Sequence, residues 1–195
     1  MLPEYLPEAV ERAVYLDVDV VVRADIGHLY RMPLRHAVAA AREVGHWASP
    51  RFHPGLLRNA RRCAGNATDG VGGRPLREVF ASLDTTLFNT GVLVMDLRAW
   101  RERGIARSFA ELVRRCPSDL GDQEYMNLAV GGRFDLLDWR WNLQGLCLRR
   151  RHPEACLHQA RAVHFTGAGK PWLAGNGCAV HADFVPNRSA CASVD

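Results

Sequence analysis

At 195 residues, 48% hydrophobic and 24% charged, the chain has the length of one domain with a sizeable core and the composition of an ordinary folded protein. A formal charge of +4 admits an anionic ligand but is too modest to argue for nucleic acid. No apolar run is long enough to span a bilayer, the amino terminus lacks a signal-peptide pattern, and the six cysteines contain no C-x-x-C pair that would point to a zinc cluster.

After the opening "MLPEYLPEAVERA", the apolar run from about Ala13 to Val22 predicts the first strand. "ADIGHLYRMPL" reads as a turn and a short helix, with Asp25 as N-cap and Pro33 as stop. "HAVAAARE" predicts a second strand. Residues 45 to 75, rich in Gly, Pro, Arg and Asn, read as a surface excursion, and "PLREVFASL" as a helix. "GVLVMDL" is a short apolar run bounded by turn residues, as a buried strand should be. "IARSFAELVRRC" sets Ile105, Phe109, Leu112, Val113 and Cys116 on one helical face. "DQEYMNLAV" is a further helix with Asp122 near its start, where a carboxylate is favoured. "RFDLLD" and "AVHF" supply two more short strands. Alternating strands and helices predict a single α/β domain over residues 1–195, with a mainly parallel or mixed sheet flanked by helices and an irregular tail from about residue 173.

The first strand carries two carboxylates in "YLDVDVVV". On a continuous strand, Asp17 and Asp19 share a face, and their charges repel unless a cation or a shared proton relieves them. The alternative is a strand that ends near Asp17 and leaves Asp19 in a solvated turn. Asn89 stands just before the buried strand, and Gly91 lets the backbone turn there or approach a ligand closely. Asp122 and Gln123 open a helix, where capping is the plain explanation, and Asn142 follows Trp139 and Trp141, which read as a core aromatic cluster. In "AVHFTGAGKPW" a histidine, His164, ends an apolar strand. A Gly-x-Gly turn beginning at Gly167 follows, and then Lys170, the one lysine of the chain. Exposed backbone N–H groups and a cation equip that loop for phosphate. Two carboxylates with one imidazole form a mixed oxygen and nitrogen set that suits Mn²⁺ and admits Mg²⁺.

Taken in order, "YLDVDVVV", "FNTGVLVMDLRAWRERGI", "DQEYMNLAV", "RWN" and "HFTGAGKPW" resemble glycosyltransferase family 8, from about residue 2 to residue 172. The resemblance implies a GT-A-type nucleotide-diphospho-sugar transferase fold. It also implies a retaining, Mn²⁺-dependent transfer of a hexosyl or related sugar from a UDP-sugar donor to a glycan or other hydroxyl acceptor. It assigns Asp17, Asp19 and His164 to the metal, and Gly167 and Lys170 to the diphosphate. Asn89, Asp122 and Gln123 fall around the donor sugar, Gln123 near the anomeric carbon. Val18 occupies the middle of the D-x-D, where the family usually has a small or polar residue. Family members carry several βα units before this strand, and "MLPEYLP" resembles the end of the helix that precedes it. The reading therefore expects about one third of the nucleotide side to lie outside these 195 residues, and the "YLDVDVVV" strand to show a bare edge. Two alternatives compete: a degenerate member without turnover, and a phosphatase of the haloacid dehalogenase type. The phosphatase motif fits Asp17, Asp19 and Val21 but fails at Met126 and does not use His164. The resemblance leaves the compartment open.

Overall fold

The computed structural model describes residues 2–43, 87–115, 121–146, 154–167 and 170–173. The excursion over residues 45–75, the helix expected at "PLREVFASL", Cys116 and the tail beyond residue 173 lie outside the described residues. Within them a four-stranded sheet runs in the order β1-β4-β3-β5. Its strands are β1 (Arg12–Leu16), β3 (Val38–Arg42), β4 (Phe88–Asp96) and β5 (Asp135–Leu136). The β1–β4 and β3–β4 pairs are antiparallel and β3–β5 is parallel. The sheet is thus mixed and mostly antiparallel. A separate antiparallel ribbon joins β2 (Val20–Val22) to β6 (Ala162–His164).

β4 is the spine because "FNTGVLVMD" offers apolar side chains to both faces. Leu93 and Met95 enter one core with Val38, Ala40, Trp100, Ile105, Met126 and Val130. Val92 and Val94 enter the other with Ala39, Ala41, Leu137, Trp141 and Ala162. This period-two division is what a pleated strand imposes. The first core lies under α2 (Leu97–Glu102), α3 (Ile105–Arg115) and α4 (Asp122–Val130). On α3, Ile105 and Leu112 are buried as the helical periodicity predicts, whereas Val113 is 40% exposed. Gly131, with φ of 65°, ends α4 in the left-handed conformation that glycine adopts without strain.

The short helix α1 (Gly27–Arg31) follows the D-x-D segment, and Asp25 Oδ1 accepts the Gly27 N–H at 2.8 Å. Arg12 on β1 donates to the carbonyls of Tyr30 and Met32, tying the end of α1 to the sheet. A further helix, α5 (Glu154–Gln159), leads into β6 and carries Cys156, which is buried and disulfide-bonded. No described helix is long and apolar enough to cross a membrane.

Two expectations need correction. The first strand is not continuous from Ala13 to Val22: it stops at Leu16, and the chain turns at Asp17–Asp19 before β2 starts in a different sheet. Asn89 does not precede the buried strand but lies within it. β1 pairs with β4 alone among the described residues, and all five of its residues are only half-buried.

Candidate metal and donor site

The D-x-D turn is held by backbone from two strands. The Asp17 N–H donates to the Gly91 carbonyl of β4 at 2.8 Å, and the Val20 N–H closes the turn on the Asp17 carbonyl at 3.1 Å. The Phe165 N–H donates to the Asp19 carbonyl at 3.0 Å. Because β2 pairs with β6 in a register that places Val20 opposite His164, the histidine comes beside the aspartates despite the distance in sequence. The carboxylates converge even though the strand ends, since the turn and not the pleat aims them.

Asp17, Asp19 and His164 each present one ligand atom, all within 4.8 Å of one another. His164 Nε2 lies 3.2 Å from Asp19 Oδ1 and 3.6 Å from Asp17 Oδ2. The imidazole is 3% exposed and lies across β4 at Gly91. A Cβ on residue 91 would fall 2.1 Å from His164 Cε1, so glycine is required there for space. The Lys170 ammonium donates to Asp19 Oδ2 at 2.5 Å and to the Phe165 carbonyl at 2.6 Å. The Tyr15 hydroxyl donates to Asp17 Oδ1 at 2.7 Å.

These contacts set the ionisation of the group. Burial works against the charge on Asp19, but the hydrogen bond from Lys170 and its ammonium charge outweigh it and hold the carboxyl below its ordinary range. Burial dominates at His164 and pushes its imidazole down, with Asp19 and Asp17 opposing. The hydrogen bond to Asp17, reinforced by burial, pushes the Tyr15 phenol up to about 12.

Behind the aspartates lies a cluster of amides. Asn127 on α4 donates to the Phe88 carbonyl and accepts the Phe88 N–H, both at 2.9 Å, which clamps the helix to the start of β4. That clamp brings Gln123 onto Asn89 and Thr90. Gln123 Oε1 accepts the Thr90 N–H at 3.2 Å and Asn89 Nδ2 at 3.1 Å, while Nε2 donates to Glu43 Oε2 at 2.9 Å. Asn89 Nδ2 also donates to Glu43 Oε2 at 2.8 Å. Asn89 Oδ1 accepts the Gly91 N–H and Asn142 Nδ2, each at 2.9 Å. Asn142 Oδ1 in turn lies 3.1 Å from His164 Nδ1.

The structure therefore joins Asp17, Asp19, His164, Lys170, Asn89 and Gln123 in one polar patch. Asp122 opens α4 and is exposed, lining with Tyr15 and Thr90 an otherwise apolar cavity of about 190 Å³. Val18 stands fully exposed at the crest of the turn. Gly167 is exposed with φ of 96°, a conformation that glycine tolerates. Tyr15 and Glu43 were not singled out by sequence. Glu43 had a signal, a carboxylate closing an alanine-rich apolar run. Tyr15 had one only in its spacing from Asp17.

The family model of glycosyl transferase family 8 matches residues 1–175, and the chain belongs to that family. Probable galacturonosyltransferase-like 3 of Arabidopsis thaliana is 30% identical over 195 residues, covering 88% of this chain and 48% of the relative. Probable galacturonosyltransferase-like 10 of the same plant is 31% identical over 186 residues, covering 88% and 46%. The chain thus spans about half the length of the curated relatives it matches. Its fold resembles the crystal structure of the galactosyltransferase LgtC in complex with donor and acceptor sugar analogues. The TM-score is 0.60 at 21% identity, over 92% of this chain and 60% of that one. GlyE of Streptococcus pneumoniae TIGR4 in its apo form gives 0.57 at 20% identity, over 89% and 37%. The fold is the mixed α/β arrangement of GT-A glycosyltransferases. Membership in this family leaves the phosphatase alternative without support.

Proposed function

We propose that this chain carries the metal- and diphosphate-binding centre of a retaining glycosyltransferase. The enzyme would move a hexosyl or related sugar from a UDP-sugar to a hydroxyl of a glycan or other acceptor. The names of the Arabidopsis relatives favour a galacturonosyl donor within that class. The observation that carries the reading is the convergence of Asp17, Asp19 and His164 within 4.8 Å, with Lys170 on Asp19. Two carboxylates and a buried imidazole nitrogen aimed at one point fit a divalent cation, with Mn²⁺ matched best by the mixed donor set. Such an ion, when bound, would offset the negative charge that gathers on the departing nucleoside diphosphate.

The side chains supply the rest. Lys170 reaches Asp19 and can exchange that contact for a phosphate oxygen, adding a charge-assisted hydrogen bond to the leaving group. Gly167 would let backbone N–H groups approach the same phosphates. Asp122, exposed at the start of α4, can accept hydrogen bonds from sugar hydroxyls. Asn89 and Gln123 would flank the donor sugar. The Gln123 amide is too weak a nucleophile for a comfortable covalent route. Retention is then best served by attack of the acceptor hydroxyl on the face from which the nucleotide leaves.

UDP titration with Mn²⁺ present tests this reading. Lys170→Ala should weaken UDP tenfold or more. Mn²⁺ binding without nucleotide should hold or tighten, because the lysine no longer competes for Asp19. Unchanged UDP affinity in that variant, or no UDP binding to the parent chain in Mn²⁺, would overturn the assignment.

A further inference from the structure

The amide cluster behind the aspartates has a direction. A backbone N–H is always a donor, so whatever faces it must be an acceptor. The Gly91 N–H, at 2.9 Å, fixes the oxygen of Asn89 towards β4. The Thr90 N–H does the same for the oxygen of Gln123, which leaves the Gln123 nitrogen on the Glu43 carboxylate. Asn142 meets the Asn89 oxygen at 2.9 Å and must present its NH₂ there. Its own oxygen is then turned to His164 Nδ1 at 3.1 Å, and an oxygen can only accept.

We infer that Asn142 is a positioning residue, the last link of a directed amide chain that holds His164 as the Nδ1–H tautomer and leaves the Nε2 lone pair facing Asp17 and Asp19. The two ring nitrogens are distinct, and the hydrogen bond made by one decides what the other offers. Partners of this kind orient a ligating histidine and commonly carry a 10–100-fold effect on metal affinity. The chain is short and buried: Asn89, Asn142 and His164 are 5%, 2% and 3% exposed. Water is therefore a poor substitute for any link. Asn142 hydrogen-bonds to Asn89 and His164 and not to either aspartate. It acts through the histidine, whose ring has room only because residue 91 is glycine.

The inference rests on the proposed metal role of His164, but its first test does not. Nitrogen-detected NMR of the imidazoles in the metal-free protein, with the His164 signals assigned by their loss in His164→Gln, should show the proton on Nδ1. An Nδ1 without a proton would overturn the inference whether or not Mn²⁺ binds. If the Nδ1–H form is found and no Mn²⁺ binds, the proposed function fails while the tautomer stands. Asn142→Leu, checked for folding by its melting curve, should lose the Nδ1–H preference and weaken Mn²⁺ by about 10–100-fold. Asn142→Asp retains an acceptor for Nδ1–H and should keep the proton there, at a cost in stability because its second oxygen faces the Asn89 oxygen. If Asn142→Leu does not fold, the protonation of Nδ1 in the parent chain decides. Retention of both properties in a folded Asn142→Leu protein would contradict the inference.

Discussion

Strands β4 and β1 lie side by side over five paired residues, Arg12–Leu16 against Val92–Asp96. Their apolar content is similar, yet seven of the nine residues of β4 are buried and none of the five of β1 is. The cause is neighbours. β4 is paired on both edges and covered on both faces, whereas β1 has a partner strand on one edge only among the described residues. The site follows the same division. Gly91, Asn89 and the His164 ring all belong to or rest on β4, while Asp17 hangs from the end of β1 and is tied back through the Gly91 carbonyl and the Tyr15 hydroxyl. The well-supported strand is the anvil on which the less supported one is aligned.

The contrast is sharpest where β4 is most enclosed. Leu93→Ala removes a side chain 3% exposed in the core under α2–α4, and should cost about 2–5 kcal/mol in denaturant unfolding. Gly91→Ala puts a methyl where His164 sits, so it should cost about 1–3 kcal/mol by overpacking and also displace the ring. Loss of Mn²⁺ binding out of proportion to that instability would show that β4 orders the site.

The opposite margin of the sheet offers an intermediate case. Asp135 on β5 is buried and accepts the N–H groups of Arg35 and His36 at 2.7 and 2.8 Å, with the exposed Arg35 side chain at 3.0 Å. Burial works against its charge, but those donors outweigh it and hold its carboxyl below the ordinary carboxylate range. A depressed carboxyl contributes its full stability above the unfolded value, about 3.9. That contribution fades as pH falls through the lower folded value. Asp135→Ala should therefore cost about 1–3 kcal/mol at neutral pH, mostly through the two stranded backbone donors. Its deficit relative to the parent chain should shrink in acid. Val14→Ala, on half-buried β1, should cost about 1 kcal/mol. Equal losses for Val14→Ala and Leu93→Ala would break the comparison.

The elements that the sequence revealed are those whose burial is written into consecutive residues. "GVLVMD", "DQEYMNLAV" and "AVH" became β4, α4 and β6 because their patterns are local. The break at Asp17–Asp19 was one of two readings that the sequence left open, because apolar residues continue through Val22, while the sheet that β2 joins depends on β6 far along the chain. Glu43 was hidden for the same reason. Its partners Asn89 and Gln123 come from β4 and α4, and only the Asn127 clamp brings them within reach. Asn142 looked like part of an aromatic cluster, and Trp141 is indeed core, but the amide that follows it faces the histidine. The candidate metal ligands were legible as residue types, and their convergence was legible only through the family resemblance.

Electron paramagnetic resonance of Mn²⁺ titrated into the protein tests the central claim most directly. The account predicts one saturable site that is lost in Asp17→Asn and Asp19→Asn, and in His164→Gln, while each variant keeps the melting behaviour of a folded chain. Mn²⁺ bound without saturation, or bound equally by the parent chain and those three variants, would show that the convergence of Asp17, Asp19 and His164 is not a metal centre.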